Sequence, residues 1–419
     1  MQWTPFANSS RKQHWVNIGC WRHFGGNLTM TSIQKRSDGV FRARYRDAAG
    51  KEHARHFKLK KDAVRWLNEV TASVVTGMYV DPGAGRITFE AYAEQWRDSQ
   101  VWRPNTADQA KTSLKRAYPL IGERPLDTLK PADIQGMVRR LSETLAPATI
   151  EVTYAYVASV LKNAATNRRI AKTPCDGIKL PEVVHEQVDP LTIRQVEAIR
   201  DALPDRFKAM VTLSAGTGMR FGEVTGLTID RILFLKRFIK VDRQWSKAKN
   251  EKGNIVAGFG PPKTPSSNRE IPLPDSVAVA LSAHIKTYGI GVHDLVFVGE
   301  RGAPLSRKNF ARAWRRALSK VRAADADAIA KSKRSGGDYE PLNLPNDITF
   351  HDLRHHYASL LIFAGLDIKT VQANLGHKSA QETLDTYAHL WPNTEDRTRQ
   401  AVDAALNPAD SRRTNAQES

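Results

Sequence analysis

Residues 217–227 read Thr217-Gly-Met-Arg-Phe-Gly-Glu-Val-Thr-Gly-Leu227, residues 351–357 read His351-Asp-Leu-Arg-His-His-Tyr357, and residues 375–389 read Leu375-Gly-His-Lys-Ser-Ala-Gln-Glu-Thr-Leu-Asp-Thr-Tyr-Ala-His389. They supply Arg220, His351, Arg354, His377 and Tyr387. A loop between the first two, Pro261-Pro-Lys-Thr-Pro-Ser-Ser-Asn-Arg269, supplies Lys263. These are the parts needed to hold and attack a phosphodiester. Its negative charge spreads over more oxygens in a pentacoordinate transition state, so bidentate guanidinium groups are the natural clamp. Arg220 and Arg354 fit that role. Arg220 follows a glycine-containing turn where backbone approaches a phosphate closely, and Glu223, three residues on, is placed to hold its fork. An Arg-x-x-Glu by itself is more often an ordinary surface pair.

His351 and Arg354 are three apart, so a helix puts both on one face within reach of a common ligand. Imidazole titrates near neutrality and suits proton transfer to or from an attacking hydroxyl. The residues alone leave His351, His355 and His356 as rivals on adjacent faces. A phenol with a pKa near 10 is neutral at pH 7, so a tyrosine nucleophile needs both the arginines and a base. Taken singly, Tyr387 reads as an amphipathic-helix tyrosine and His377 as a capping or surface histidine. Prolines keep the Lys263 loop out of any helix, just before a strand expected at Glu270. Arg269 competes with Lys263 there. Its pKa above roughly 12 makes it a poor proton donor but a good phosphate anchor, and a DNA contact is expected of it.

The order and contexts of these boxes resemble the tyrosine recombinase family, of the lambda-type phage integrase kind: Arg in TGxRxGE, Lys in a loop before a short strand, HxxRH, then LGH followed ten positions later by Tyr. The resemblance implies that Arg220 and Arg354 clamp the phosphate and that His351 moves the proton, leaving His355 structural. It makes Lys263 the donor to the leaving 5′ oxygen, His377 a hydrogen-bonding partner of a non-bridging or attacking oxygen, and Tyr387 the nucleophile. Tyrosine attack forms a 3′-phosphotyrosyl link that retains the bond energy, so neither ATP nor any other cofactor is expected, nor an obligatory divalent metal. The sequence offers no Walker-type loop and no cluster of metal-binding carboxylates. The family further implies strand exchange between double-stranded attachment sites through a Holliday junction, in a homotetramer on DNA, with DNA-bending and excision-directionality factors as partners. The reading is therefore a phage or mobile-element integrase. A chromosome-dimer resolvase of the same family, a monomeric type IB topoisomerase and a catalytically silent DNA-binding regulator are its rivals; the last has no need of all six residues.

The bulk properties agree. At 419 residues the chain is too long for one typical domain. Lys and Arg number 63 against 44 Asp and Glu, giving a formal charge of +19, which favours a polyanionic partner. Cys20 and Cys175 are too few and too far apart for a disulfide framework or a cysteine-rich zinc site. No apolar run is long enough to span a membrane, and the N-terminus lacks a signal peptide's apolar core, so a cytoplasmic, nucleoid-associated protein of a bacterial host is expected.

The expected fold class is mainly α with small β-sheets (α+β), in several domains. Residues 1–30 have no physical reading beyond an extension. Over 31–82, alternation puts Arg42, Arg44 and Arg46 on one face of a strand and Phe41, Ala43 and Tyr45 on the other, with a second strand near Glu52–Lys58 and a helix over Lys61–Thr76. Such a sheet suits a DNA groove, and many phage integrases carry a small N-terminal domain for arm-type sites; a solvated sheet face is the alternative. Over 87–176 the spacing predicts an all-α unit with helices at Phe89–Ser99, Asn105–Tyr118, Pro131–Ser142 and Pro147–Asn167, the family's core-binding (SAM-like) domain. Its Lys111 and Lys115 are DNA-contact candidates. Residues 176–189 read as an extended linker, and 188–396 as the α-rich catalytic domain with short strands at Arg237–Val241 and Glu270–Leu273. Residues 323–347 read as an inserted mobile loop, and 397–419 as a helix end and a disordered tail.

Overall fold

The computed structural model describes residues 31–47, 50–75, 83–184, 187–249, 255–262, 264–391 and 395–406. The extension 1–30 and the tail after Pro408 lie outside them, as does Lys263. The chain divides into two compact units, Met1–Val183 and Val184–Ser419.

The first unit opens with an antiparallel sheet, β1 (Thr31–Lys35), β2 (Phe41–Arg46) and β3 (Glu52–Phe57), in that spatial order. Helix α1 (Lys60–Val75) covers one face. Strand alternation does the sorting: Ala43 and Tyr45 are buried against Ala63 and Leu67, while Arg42, Arg44 and Arg46 take the opposite face. Strand β1 was not foreseen, because Thr31-Ser-Ile-Gln-Lys35 carries one large apolar residue and reads as polar.

Helices α2 (Phe89–Asp98), α3 (Pro104–Ile121), α4 (Pro131–Ser142) and α5 (Pro147–Thr166) follow. Three of them begin with proline at the first or second position, where its missing N–H costs nothing. Their apolar faces meet in one core that includes Phe89, Leu114, Ile134, Ile150 and Leu161.

The second unit contains α6 (Ile193–Ala202), α7 (Asp205–Thr217), α8 (Phe221–Thr225), β4 (Ile232–Leu233), β5 (Phe238–Val241), β6 (Gln244–Lys249), β7 (Ile255–Gly260), β8 (Arg269–Pro272), α9 (Asp275–Tyr288), α10 (Arg307–Ser335), α11 (Asp352–Phe363), α12 (Ile368–Leu375), α13 (Ala380–Tyr387) and α14 (Glu395–Leu406). Strands β4, β5 and β8 form one small sheet, and β6 pairs with β7 as a hairpin. The hairpin escaped the sequence reading because Gln244-Trp-Ser-Lys-Ala-Lys249 is largely polar. Its signal is the cross-strand pair Trp245–Phe259, whose rings pack edge-on at 5.0 Å. The main core gathers α6, α7, α9, α10 and the three-stranded sheet. A separate cluster joins Tyr357, Ala358, Ile362, Val371, Leu375 and Tyr387, so α11, α12 and α13 hold the nucleophile candidate on their own packing.

Residues 323–347 are not a loose insertion. Alanine is the best helix former, and the alanine-rich run 323–330 continues α10 to Ser335. The returning segment is tied down: Tyr339 Oη and the Leu342 N–H both donate to Asp325 Oδ1, at 2.7 and 3.0 Å, and Gln195 Nε2 donates to the Leu342 carbonyl at 2.7 Å.

Candidate active site

Helices α7 and α12 both end on a glycine in the left-handed region, Gly218 and Gly376, each at φ 65°. A Cβ on Gly218 would stand 2.5 Å from Tyr357 Cδ1, so a side chain there would push α11 away. These closely packed helix ends deliver two carbonyls to one guanidinium: Arg354 Nη1 donates to Gly218 O at 2.8 Å and Nη2 to Leu375 O at 2.6 Å. Arg354 is only 2% exposed. The negative ends of two helix dipoles therefore compensate its buried charge. Burial and the nearby Arg220 and Arg269 lower its pKa to about 9, still cationic at neutral pH.

Arg220 is the N-cap of α8, and its surroundings are built on Glu223. The Arg220 N–H donates to Glu223 Oε2 at 2.9 Å and its Nη1 to Oε1 at 3.1 Å. The same carboxylate receives Arg269 Nη2 at 2.9 Å and Nη1 at 3.3 Å. Burial alone would raise the Glu223 carboxyl, but the Arg269 and Arg220 guanidinia outweigh it and hold it below the usual carboxylate range. Glu223 is thus a carboxylate shared by two arginines.

The placement of Arg269 corrects the sequence reading. Its side chain is 5% exposed, and it also donates to the Asn374 and Ser267 carbonyls, at 2.8 and 3.0 Å. Strand β8 turns it inward, where it ties the start of the strand to α8 and to the end of α12. Its Nε and both Nη atoms are engaged by protein acceptors, so Arg269 braces the cluster instead of presenting the outward DNA contact expected of it.

Tyr387 is the last residue of α13, whose N-cap Ser379 accepts from the Glu382 N–H. It is 1% exposed, and burial raises its phenol to about 12 despite the pull of Arg354 and Arg220. His377 lies parallel to its ring at 6.3 Å, with Nδ1 2.8 Å from Thr383 Oγ1. Burial, then Arg354, lowers the His377 pKa to about 4. The Tyr387 hydroxyl lies 2.8 Å from the Nδ1 of His355.

His355, expected to be structural, is thus the side chain in contact with the Tyr387 hydroxyl. It was not on a face adjacent to that of His351, as expected, since spacing of four puts both on one face of α11; their rings meet edge-on at 5.0 Å. That spacing was the available signal. His356 points elsewhere and bonds the Leu191 carbonyl through Nδ1 at 2.6 Å. His351 sits at the N-cap of α11 and is exposed, yet the protein packed behind it, with His355, Arg354 and Arg220, lowers its pKa to about 4.

The second unit thus brings Arg220, Glu223, His351, Arg354, His377 and Tyr387 into one cluster: Arg220 bears on the pKa of His351, Arg354, His377 and Tyr387 alike. Among the flanking residues of the Lys263 loop, the Pro261 carbonyl accepts from Gln244 Nε2 at 3.0 Å. In the first unit, Arg42, Arg44 and Arg46 are partly exposed, at 42, 44 and 57%, and ring Glu52 at 3.5–3.9 Å. Lys111 and Lys115 are exposed on α3.

A family model described as the phage integrase family matches residues 190–393, and one described as the phage integrase central domain matches 89–180. The chain belongs to the phage integrase family. It is a site-specific tyrosine recombinase. The integrase of Mycobacterium phage FRAT1 is 24% identical over 338 residues, covering 77% of this chain and 92% of that protein. A tyrosine recombinase XerC-like protein of Caldanaerobacter subterraneus subsp. tengcongensis is 26% identical over 293 residues, covering 64% of this chain and 69% of that one. Among solved structures, the Tn1549 transposon integrase in complex with a circular intermediate DNA matches with a TM-score of 0.59 at 23% identity, covering 75% of this chain and 98% of that chain. This last likeness is one of fold. Mainly helical units with small antiparallel sheets are what the recombinase and those neighbours share. Among the described residues, no helix is long and apolar enough to cross a membrane.

Proposed function

We propose that this recombinase integrates or excises a phage or other mobile element by cutting and rejoining double-stranded DNA at attachment sites through Tyr387. The observation that carries the reading is the Tyr387 hydroxyl, buried and hydrogen-bonded at 2.8 Å, in a cluster with two arginines and three histidines. Arg220 and Arg354 neutralise the phosphate oxygens, whose charge grows as phosphorus becomes pentacoordinate. Arg354 has five N–H donors and spends two on helix-end carbonyls, which fixes its plane while leaving donors for the phosphate. His351 and His377, both neutral at pH 7, hydrogen-bond the phosphate oxygens. Lys263 protonates the departing 5′ oxygen. Attack by Tyr387 Oη leaves a 3′-phosphotyrosyl link and a 5′ hydroxyl; the 5′ hydroxyl of an exchanged strand then reverses the step without ATP.

Arg42, Arg44 and Arg46 on β2, with Lys111 and Lys115 on α3, supply phosphate contacts outside the cleavage site, to arm-type and core-type sequences respectively. Four copies act together through a Holliday junction, in the cytoplasm at the host nucleoid, with DNA-bending and directionality factors setting the outcome. A chromosome-dimer resolvase would use the same cluster, and the exposed arginine face of the N-terminal sheet favours the integrase.

The test uses a nicked duplex whose sequence the wild-type chain traps covalently from a random-sequence pool. Tyr387→Phe is expected to bind that duplex normally and to form no adduct. An adduct that survives the substitution moves the nucleophile to another residue.

A further inference from the structure

The histidine facing the nucleophile is His355, although the sequence reading made His351 the proton acceptor. His355 Nδ1 stands 2.8 Å from Tyr387 Oη, and no hydrogen bond joins His351 to that oxygen among the described residues. The two side chains come from different packed elements, α11 and α13, and their ring centroids are 5.6 Å apart. A phenol this buried needs a polar partner, and His355 is its partner here.

We propose that His355 is a further catalytic residue of the recombinase, accepting the proton of Tyr387 through Nδ1 as the phenol attacks and returning it when the strand is resealed. The proposal rests on Tyr387 being the nucleophile. The Tyr387 O–H bond breaks, with its proton passing to His355 Nδ1, and its oxygen lone pair forms the bond to phosphorus. The phosphorus–O5′ bond breaks, and the leaving oxygen takes a proton from the enzyme's acid, Lys263 in the reading above. In religation the 5′ hydroxyl attacks, Tyr387 leaves, and His355 gives the proton back.

The groups around the imidazole set its state. On its own helix these are His351, Asp352 and Arg354; from α13 it meets Tyr387, which His377 stacks upon. Asp352 is committed to the Thr349 N–H and hydroxyl, both at 2.8 Å, at the start of α11. Burial lowers the His355 pKa and Arg354 adds to the lowering, while Asp352 opposes it, so the ring is neutral and able to accept at pH 7. Because the phenol lies near 12, the transfer is concerted with attack and does not precede it.

The experiment measures single-turnover adduct formation from pH 5.5 to 9.5 on the trapped nicked duplex, for wild type, His355→Asn, His355→Ala and His351→Gln, with duplex affinity measured alongside. Asparagine places an amide near the Nδ1 position, where it holds the phenol without accepting its proton. His355→Asn is expected to bind the duplex as wild type does and to lose about 10²-fold in adduct rate at pH 7. Its rate should then climb about tenfold per pH unit as hydroxide takes over, while wild type stays flat above neutrality. His355→Ala should fall further, and His351→Gln should show no such rescue by base. A His355→Asn variant within about threefold of wild type, or one depressed equally at every pH, overturns the proposal; the second result makes the ring a positioning group only. An intact Tyr387→Phe adduct instead removes the nucleophile reading itself, so the two failures are distinguishable.

Discussion

Two glutamates organise arginines in this protein, and they do so differently. Glu223 is 2% exposed and bonds Arg220 and Arg269 at 2.9–3.3 Å, whereas Glu52 is 33% exposed with Arg42, Arg44 and Arg46 no closer than 3.5 Å. The first arrangement is fixed before any ligand arrives. Its arginines offset desolvation with directed hydrogen bonds, and a phosphate bound beside them, as proposed, would meet a field already oriented. The second is a loose fan in high dielectric, where each pair is worth little, and under the proposed arm-site contact a DNA phosphate would displace the carboxylate at small cost. Rigid charge suits a transition state, and yielding charge suits a long contact with backbone phosphates.

The largest effect is expected at Arg269. Arg269→Ala leaves the Glu223 carboxylate buried with one of its two cations missing, and should cost about 3–5 kcal/mol in chemical denaturation. A loss near that of a surface pair would mean that the cluster is not preorganised. Arg220, 26% exposed at the edge of the same cluster, should behave otherwise. Arg220→Ala is expected to lower strand cleavage about 10²-fold with a far smaller effect on folding. A loss of only a few-fold would reduce Arg220 to a positioning role.

The buried cluster should also announce itself in pH. His351 and His377 have folded pKa values of about 4 against roughly 6.5 unfolded, so the unfolded chain binds more protons between those values. Their contribution to stability is complete above about 6.5 and lost as pH falls toward 4, and thermal midpoints should decline across that window. His377→Asn should flatten the decline, and an unchanged slope would place the cost elsewhere. At the sheet the effect should be smallest. Arg44→Ala should leave folding unchanged, weaken DNA binding uniformly across sequences, and reduce the slope of log affinity against log salt by about one. An unchanged salt slope would remove Arg44 from the phosphate contacts.

The same contrast explains what the sequence could show. The period-two alternation of β2 and the helices of the first unit were legible because burial on one face writes itself into the order of apolar residues. Candidate site residues were legible as isolated letters in three boxes, since their chemistry limits the residue types that serve. Partners were not. Nothing in Arg-Glu or Arg269 says that one carboxylate serves both arginines, because that depends on β8 meeting the end of α12. The helix-end carbonyls that hold Arg354 carry no side-chain signature at all. His355 was visible only through its spacing from His351, and its contact with Tyr387 required α13 to fold back on α11. The polar hairpin β6–β7 and the alanine-rich end of α10 show the opposite limit, where composition points to loop and pairing or propensity decides for strand and helix.

Covalent catalysis through Tyr387 is tested most directly by incubating the chain with the trapped nicked duplex, without metal or ATP, then denaturing, digesting and identifying the peptide that retains nucleotide. Nucleotide is expected on Tyr387, with the phosphate joined to the phenolic oxygen. Nucleotide on another residue, or its absence under conditions where the duplex is bound, would contradict it.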